Sequence, residues 1–352
     1  MTTLTERIVS QIQHTGPLTI AEYMTLALHH PAQGYYAARP GIGADFITAP
    51  EISQMFGELI GAWCAHEWAQ LEAPTPFTLA ELGPGTGALM RDVLRAASKH
   101  PGFRQAAHVT LLDASPVLRA RQAEALADHA PTWAQDVSAL PDNATLLLGN
   151  ELLDCLPIRQ FVRASDGWRE RLVGVREGAL AFGLAQGPLP SDAIIPEKLR
   201  NAPEGAIAEI AIGAEALIMA LKDKLVPGRA LFIDYGGDDE TGGDTFQALA
   251  AHTKVDPLVA PGQADLTAHV DFAAISRFAR AAGLDVHGPV PQAQFLRTLG
   301  LDQRAQALAN ANPERAERIA REHARLTAPD QMGELFKVIC LSSPNLPPPA
   351  GF

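Results

Sequence analysis

An α/β fold built on a parallel sheet is predicted by three observations. Residues 77–82 (FTLAEL) form a short apolar run that stops at a glycine-rich turn, Gly83-Pro84-Gly85-Thr86-Gly87. A helical stretch follows, with Leu89, Val93 and Leu94 on one side, and then a second apolar run at 109–113. Residues 145–149 (TLLLG) are a third such run, with the length and make-up of a strand buried on both faces. Strand, glycine turn, helix, strand is the signature of a parallel βαβ unit, so the chain reads as a Rossmann-like domain.

The elements follow in order. Residues 4–30 read as two short helices broken by His14-Thr15-Gly16-Pro17, and 31–50, rich in Pro, Gly and aromatics, as an ordered loop. A helix is expected over 53–71 with Ser53 as its N-cap, and another over 116–127. Residues 161–163 and 168–175 look like strands, with 179–184 the return of a hairpin across Glu177-Gly178. The Pro-rich stretch 186–205 reads as loop, the Ala-rich stretch 206–225 as helix, and 230–235 as a strong strand ended by Gly236-Gly237. Residues 237–269 are polar and glycine-rich and read as a long functional loop; 271–282 and two stretches between 291 and 326 read as helical, and 335–341 as a last strand. The resulting organisation is an N-terminal helical segment with a lid loop (1–72), a cofactor-binding core (73–161), an inserted α+β hairpin and loop (162–205), the rest of the sheet with a helical insertion (206–341) and a disordered tail (342–352).

Composition narrows the function classes. A chain of 352 residues with 47% hydrophobic and 19% charged residues suits a full globular core. The net charge of -12 argues against nucleic acid or an anionic membrane as partner, since phosphates need clustered Lys and Arg, and is compatible with a basic peptide. Cys64, Cys155 and Cys340 are scattered, which predicts neither a disulfide framework nor a metal cluster and favours a reducing compartment. The N-terminus lacks a basic stretch followed by an apolar run, and no apolar stretch approaches ~20 residues, so the expected location is the cytoplasm, without membrane insertion.

The turn is the most informative string. Glycines let the backbone bend sharply and approach a ligand with no Cβ in the way, and the helix start offers free N–H groups. Read literally, Gly83 to Ala88 also satisfies the dinucleotide fingerprint, and a purely structural turn is a third reading. Two details favour S-adenosylmethionine. Glu81 precedes the first glycine at the strand end, where methyltransferases of this fold carry an acid that helps hold the cationic amino-acid end of the cofactor. The glycines at 83, 85 and 87 alternate strictly, whereas a pyrophosphate wants a helix dipole aimed at it. Asp113, followed by Ala114, ends the second strand, where an acid accepts from ribose hydroxyls; it could equally cap the next helix together with Ser115. Asp136 and Val137 fit an acid and an apolar residue flanking an adenine, or an ordinary surface loop. No metal site is expected.

Several further strings carry a specific resemblance: GYY at 34–36, GADFITAPEISQMFGELIG at 43–61, ELGPGTGALMRD at 81–92, SPVLRARQ at 115–122, NELLDCLPIRQF at 150–161, LFIDYGG at 231–237, ADLTAHVDF at 264–272 and FLRTLGLDQRAQAL at 295–308. With these the chain resembles the MidA-like methyltransferase family, which includes a mitochondrial complex I assembly factor that methylates an arginine. The resemblance implies a class I methyltransferase sheet with family-specific insertions, S-adenosylmethionine as cofactor, and protein arginine N-methylation, with a complex I-type subunit as substrate. Asp113 stands where the family leads one to expect a glutamate. A methyltransferase acting on a small molecule or another residue, and a non-catalytic assembly factor that binds the cofactor, are the alternatives.

An arginine acceptor is always charged and becomes a nucleophile only when its charge is drawn away from the reacting nitrogen; a carboxylate gripping the other nitrogens does this. Asn150-Glu151-Leu152-Leu153-Asp154 follows the TLLLG strand at the edge where open parallel sheets bind ligands, so Glu151 is the candidate to hold the acceptor, with Asp154 or Glu51 as second acid. First-turn acids favoured by a helix dipole are the plain alternative. The loop 41–53 reads as a lid over the donor, and exposed insertions could serve a homodimer.

Overall fold

The computed structural model describes residues 2–38, 48–238 and 242–352. The greater part of the expected lid loop lies outside them. The chain forms two compact units, each discontinuous in sequence: Met1–Phe46, Asp154–Ala216 and Asp238–Ala274 make one, and Ile47–Leu153, Leu217–Gly237 and Ile275–Phe352 the other.

The second unit carries the glycine turn. Its strands are β1 (Phe77–Leu82), β2 (Ala107–Leu112), β3 (Thr132–Ala134), β4 (Thr145–Asn150), β5 (Gly228–Gly237), β6 (Asp285–Pro291) and β7 (Phe336–Ser342). They are ordered β6-β7-β5-β4-β1-β2-β3. The pairs β1–β2, β1–β4, β2–β3 and β4–β5 are parallel, whereas β7 runs antiparallel to both β5 and β6. The order reverses between β1 and β4, so the crevice outside their carboxyl ends is the switch point at which open α/β sheets bind ligands. Every residue of β1 is buried, as a central strand covered on both faces requires. Leu79, Leu111, Leu146 and Leu148 join the main core with Trp63, Met90, Val93 and Phe295.

Three helices matter for the site: α1 (Gln54–Gln70), α2 (Ala88–Ala97) and α3 (Pro116–Ala125). Ser53 caps α1 through Met55 N–H at 3.2 Å, and Ser115 caps α3 through Leu118 N–H at 3.3 Å. α1 lies close on α2 because two glycines face it: a Cβ on Gly61 would stand 2.6 Å from the Val93 carbonyl oxygen, and one on Gly57 the same distance from Asp92 Cβ. Among the described residues no helix is long and apolar enough to cross a membrane.

In the first unit, helices Leu4–Thr15 and Ile20–His29 both open on capping boxes, Thr3 with Glu6 and Thr19 with Glu22. A five-stranded sheet runs in the order Leu18–Thr19, Gly167–Arg176, Arg159–Ala164, Ile207–Ile210, with Ala179–Leu184 hairpinned on Gly167–Arg176.

The structure corrects several expectations. The helix expected over 206–225 begins as a strand, Ile207–Ile210, paired with Arg159–Ala164, and becomes helix only at Ile212–Leu221. Pairing with Arg159–Ala164, helped by the β-branched Ile207 and Ile210, overrides the helix preference of the alanines. The loop expected at 237–269 contains a three-stranded sheet, Thr253–Val255, Gln247–Ala250 and Asp265–Thr267. Three helices, not two, lie between 291 and 326, and β6 was unforeseen. Residues 48–72 pack in the sheet unit and not with the N-terminal helices. The tail is not disordered: Ala350 N–H donates to Glu67 at 2.9 Å, Trp63 Nε1 donates to the Ala350 carbonyl at 3.1 Å, and Phe352 packs on Phe295.

Candidate functional site

The turn from β1 to α2 is held by backbone geometry that side chains resist. Gly83, Gly85 and Gly87 have φ of 62°, 53° and 84°. A Cβ at Gly83 would also press to 3.2 Å on Leu152, so left-handed backbone and close approach both select glycine there. Gly87 is the N-cap of α2 and has no side chain to satisfy the first turn. Glu81 supplies that function from the strand: its carboxylate accepts from the Met90 backbone N–H.

The other oxygen of Glu81, Oε2, is buried with no hydrogen-bond partner among the described residues, and the same holds for Asn150 Oδ1. These two acceptors lie at the carboxyl ends of β1 and β4, on either side of the switch point. Buried acceptors without donors are uncommon. Burial, with a smaller contribution from the nearby Asp113 charge, pushes the Glu81 carboxyl up to about 8. Such a group favours a cationic partner bearing N–H donors.

Asp113 follows β2. Its Oδ1 accepts from Ser115 N–H at 2.8 Å and its Oδ2 from Gln122 Nε2 at 2.6 Å. Burial raises its pKa against these two donors and the Arg119 charge. The carboxylate serves Ser115 and Gln122 and stays partly exposed, while the cap of α3 itself is Ser115. Ala114 beside it is exposed. Asp136 is solvent-facing and caps the short turn Val137–Ala139 through Ser138 N–H at 2.8 Å, with Val137 buried beneath. Ser138 holds the Asp136 carboxyl below the usual range.

Glu51 reaches the glycine turn, where Thr86 Oγ1 donates to its Oε1 at 2.5 Å. Glu151 sits just past β4 with φ of 51°. Its N–H donates to the Ile233 carbonyl at 2.9 Å, and its Oε1 accepts from Ala49 N–H and Asn150 Nδ2, both at 3.1 Å. Asp234, toward the end of β5, accepts from Leu153 N–H and Tyr235 N–H, both at 2.8 Å, fixing the backbone that follows β4. Asp154 belongs to the first unit, where it is buried and its carbonyl accepts from Ala268 N–H. The structure brings Glu51, Thr86 and Glu151 together around Ala49–Ile52. Sequence reasoning left Asp234 between lining the acceptor pocket and ending the strand in a turn, and missed Gln122. Gln122 had a readable signal, a polar residue one turn after Leu118 on the buried face of α3.

A switch-point crevice floored by three left-handed glycines, with acids at three strand ends, defines a class I S-adenosylmethionine-dependent methyltransferase. The model of a family described as "Putative S-adenosyl-L-methionine-dependent methyltransferase" matches residues 59–290. The chain is 35% identical to the protein named "Protein arginine methyltransferase NDUFAF7, mitochondrial" from Danio rerio, over 94% of this chain and 85% of that one. It is 34% identical to the protein of the same name from Homo sapiens, over 97% and 83%. A solved structure from Burkholderia thailandensis, bound to S-adenosyl-homocysteine, superposes with a TM-score of 0.87 at 29% identity, covering 99% of this chain and 93% of that one. The chain belongs to this methyltransferase family and uses S-adenosylmethionine.

Proposed function

We propose that the enzyme methylates an arginine nitrogen of a protein substrate, of the respiratory complex I subunit type. The observation that carries this reading is Glu151. A non-glycine residue held in left-handed backbone at a strand end costs of order 1 kcal/mol or more and persists where the surroundings enforce it, commonly at functional sites. Here the Ile233 carbonyl and the Ala49 and Asn150 donors do the enforcing. The relatives are named for arginine methylation, which supports the acceptor class.

The bound cofactor supplies a methyl group on a sulfonium. In this reading Glu81 and Asn150 hold its amino-acid end, Asp113 and Ala114 its ribose, and Asp136 and Val137 its base, while the glycines at 83, 85 and 87, with Pro84 and Thr86, form the floor. Glu151 grips two guanidinium nitrogens and draws charge away from the third. Glu51, tied to Thr86, is the second acid, which puts acceptor recognition and the donor turn in one hydrogen-bonded set. Positioning of this kind can supply several orders of magnitude in rate.

The relatives are named mitochondrial, and the cytoplasm is the location expected from sequence; fractionation of cells expressing the tagged chain distinguishes the two. The reaction is tested with purified enzyme, methyl-labelled donor and cell extract. The expected outcome is label in a protein band that mass spectrometry assigns to arginine; label only in small molecules refutes it. Glu151→Gln is expected to lower transfer at least ~100-fold while S-adenosyl-homocysteine still binds, a loss on the scale of a removed electrostatic group. Full transfer by that variant removes Glu151 from the mechanism.

A further inference from the structure

We infer that Gln122 is a positioning residue for cofactor binding, a side chain that ties the glycine turn to the acid after β2. The inference rests on the reading above that this turn and Asp113 hold the cofactor. Gln122 is fully buried on α3. Its amide nitrogen donates twice, to the Gly85 carbonyl at 2.8 Å and to Asp113 Oδ2 at 2.6 Å. Its amide oxygen accepts from Trp133 Nε1, on β3, at 2.8 Å. Each partner has one possible role: a carbonyl and a carboxylate only accept, and an indole N–H only donates. The amide orientation is therefore determined, and both N–H bonds are committed to the two elements that flank the crevice.

The sequence carries the same logic. Gln122 stands one turn beyond Leu118 on a face that otherwise seeks apolar contact, and a buried amide there is costly unless fully bonded. Gly87 lies against it, so a Cβ would come to 3.4 Å from Gln122 Cα. Gln122 does more than fill space: it fixes the Gly85 peptide and holds the Asp113 carboxylate, which Ser115 N–H grips from the other side. The charges that face Asp113 are Arg119 on α3 and Glu81 on β1. Burial raises the Asp113 pKa and the Gln122 amide lowers it, so the amide favours the charged, hydroxyl-accepting form.

Gln122→Met keeps length and apolar bulk and removes only the amide. The probe is S-adenosyl-homocysteine, titrated calorimetrically into the full chain, with melting followed in parallel. The expected result is a folded variant that binds about tenfold more weakly, the scale of a lost hydrogen bond to a charged group. Its affinity should also start to fall at a higher pH than in the wild type as pH is lowered, because Asp113 now takes up its proton sooner. Glu81 titrates in both proteins, so the difference between the two profiles belongs to Asp113. In an Asp113→Asn background that difference should vanish.

A purely packing role would lower the melting temperature and leave the pH profile unmoved. Binding within twofold of wild type with an unshifted profile, while Asp113→Asn does weaken binding, overturns the inference alone. A wild type that fails to bind the probe, or an Asp113→Asn variant that binds normally, overturns the site reading with it. Should Gln122→Met not fold, Trp133→Phe reads the same chain from its far end. Removing the indole donor frees the amide to rotate, and binding should weaken in the same direction with the same pH shift; unchanged binding overturns the inference.

Discussion

At the scale of single residues, the free energy of the site centres on Glu81. Burial is the main cause of its raised pKa of about 8, so near neutral pH the free enzyme carries this carboxyl mostly protonated. The folded value lies above that of an unfolded chain. The sign of the linkage follows: the stability of the free protein is undiminished by this group below roughly pH 4.5, and declines as pH rises from there through about 8. A cationic ligand reverses the preference by pairing with the carboxylate. Binding at pH 7 should therefore release up to about one proton. Titration calorimetry with S-adenosyl-homocysteine in buffers of different ionisation enthalpy measures this directly, since the apparent enthalpy should change with the buffer. Identical apparent enthalpies would refute the assignment. Glu81→Gln should abolish the release, weaken binding at pH 9 by tenfold or more, and melt higher than wild type at that pH in the absence of ligand.

At the scale of elements, the approach of α1 to α2 decides how the turn is supported. Alanine is favoured over glycine inside a helix by about 1 kcal/mol, so propensity alone predicts that Gly61→Ala stabilises α1. Sterics oppose it, because the new Cβ would meet the Val93 carbonyl oxygen at 2.6 Å and Ala96 Cβ at 2.9 Å. These contacts are backbone and a short side chain, neither of which can swing aside. Overpacking of this kind costs about 1–3 kcal/mol and wins. Chemical denaturation of Gly61→Ala should show a net loss of roughly 1–2 kcal/mol; a gain in stability would mean that the helices separate freely. The same scale explains what was legible. β1, β4, β5 and the glycine turn could be read because an apolar run followed by Gly83 has few other conformations. Ser53 and Ser115 could be read as caps because capping is local. Ile207–Ile210 could not, because its strand state comes from Arg159–Ala164, nearly fifty residues earlier. Nor could the left-handed Glu151, which is imposed by bonds to Ile233 and Ala49. Glu51 was named from the sequence beside Asp154 as the second acid, but the choice between them was out of reach, because the contact of Glu51 with Thr86 is made across 35 residues.

At the scale of the whole molecule, the chain enters and leaves each unit more than once, and the sheet unit is completed by its last residues. Arg229 on β5 is fully buried, with its Nε 3.1 Å from the equally buried Glu67 on α1. The tail completes this pair. The Pro347 carbonyl accepts from the Arg229 guanidinium at 2.5 Å, and Ala350 N–H donates to the free side of the Glu67 carboxylate. Burial raises the Glu67 pKa, and Ala350 N–H and Arg229 oppose it, so the charged pair depends on the tail being in place. A buried pair of this kind adds little net stability over an apolar pair, but removing one partner strands the other at a cost of about 3–5 kcal/mol. Glu67→Gln should thus lower the melting temperature by roughly 10 °C, given ~2–4 °C per kcal/mol for a body of this size. Deleting residues 344–352 should do at least as much, since it takes both carbonyl acceptors and the Phe352 ring from the fold. Both proteins should bind S-adenosyl-homocysteine with near wild-type affinity when assayed well below their melting temperatures, because the turn and Asp113 lie on other strands. Melting curves that coincide with wild type would show that Arg229 finds water instead, and that the tail is dispensable to the sheet.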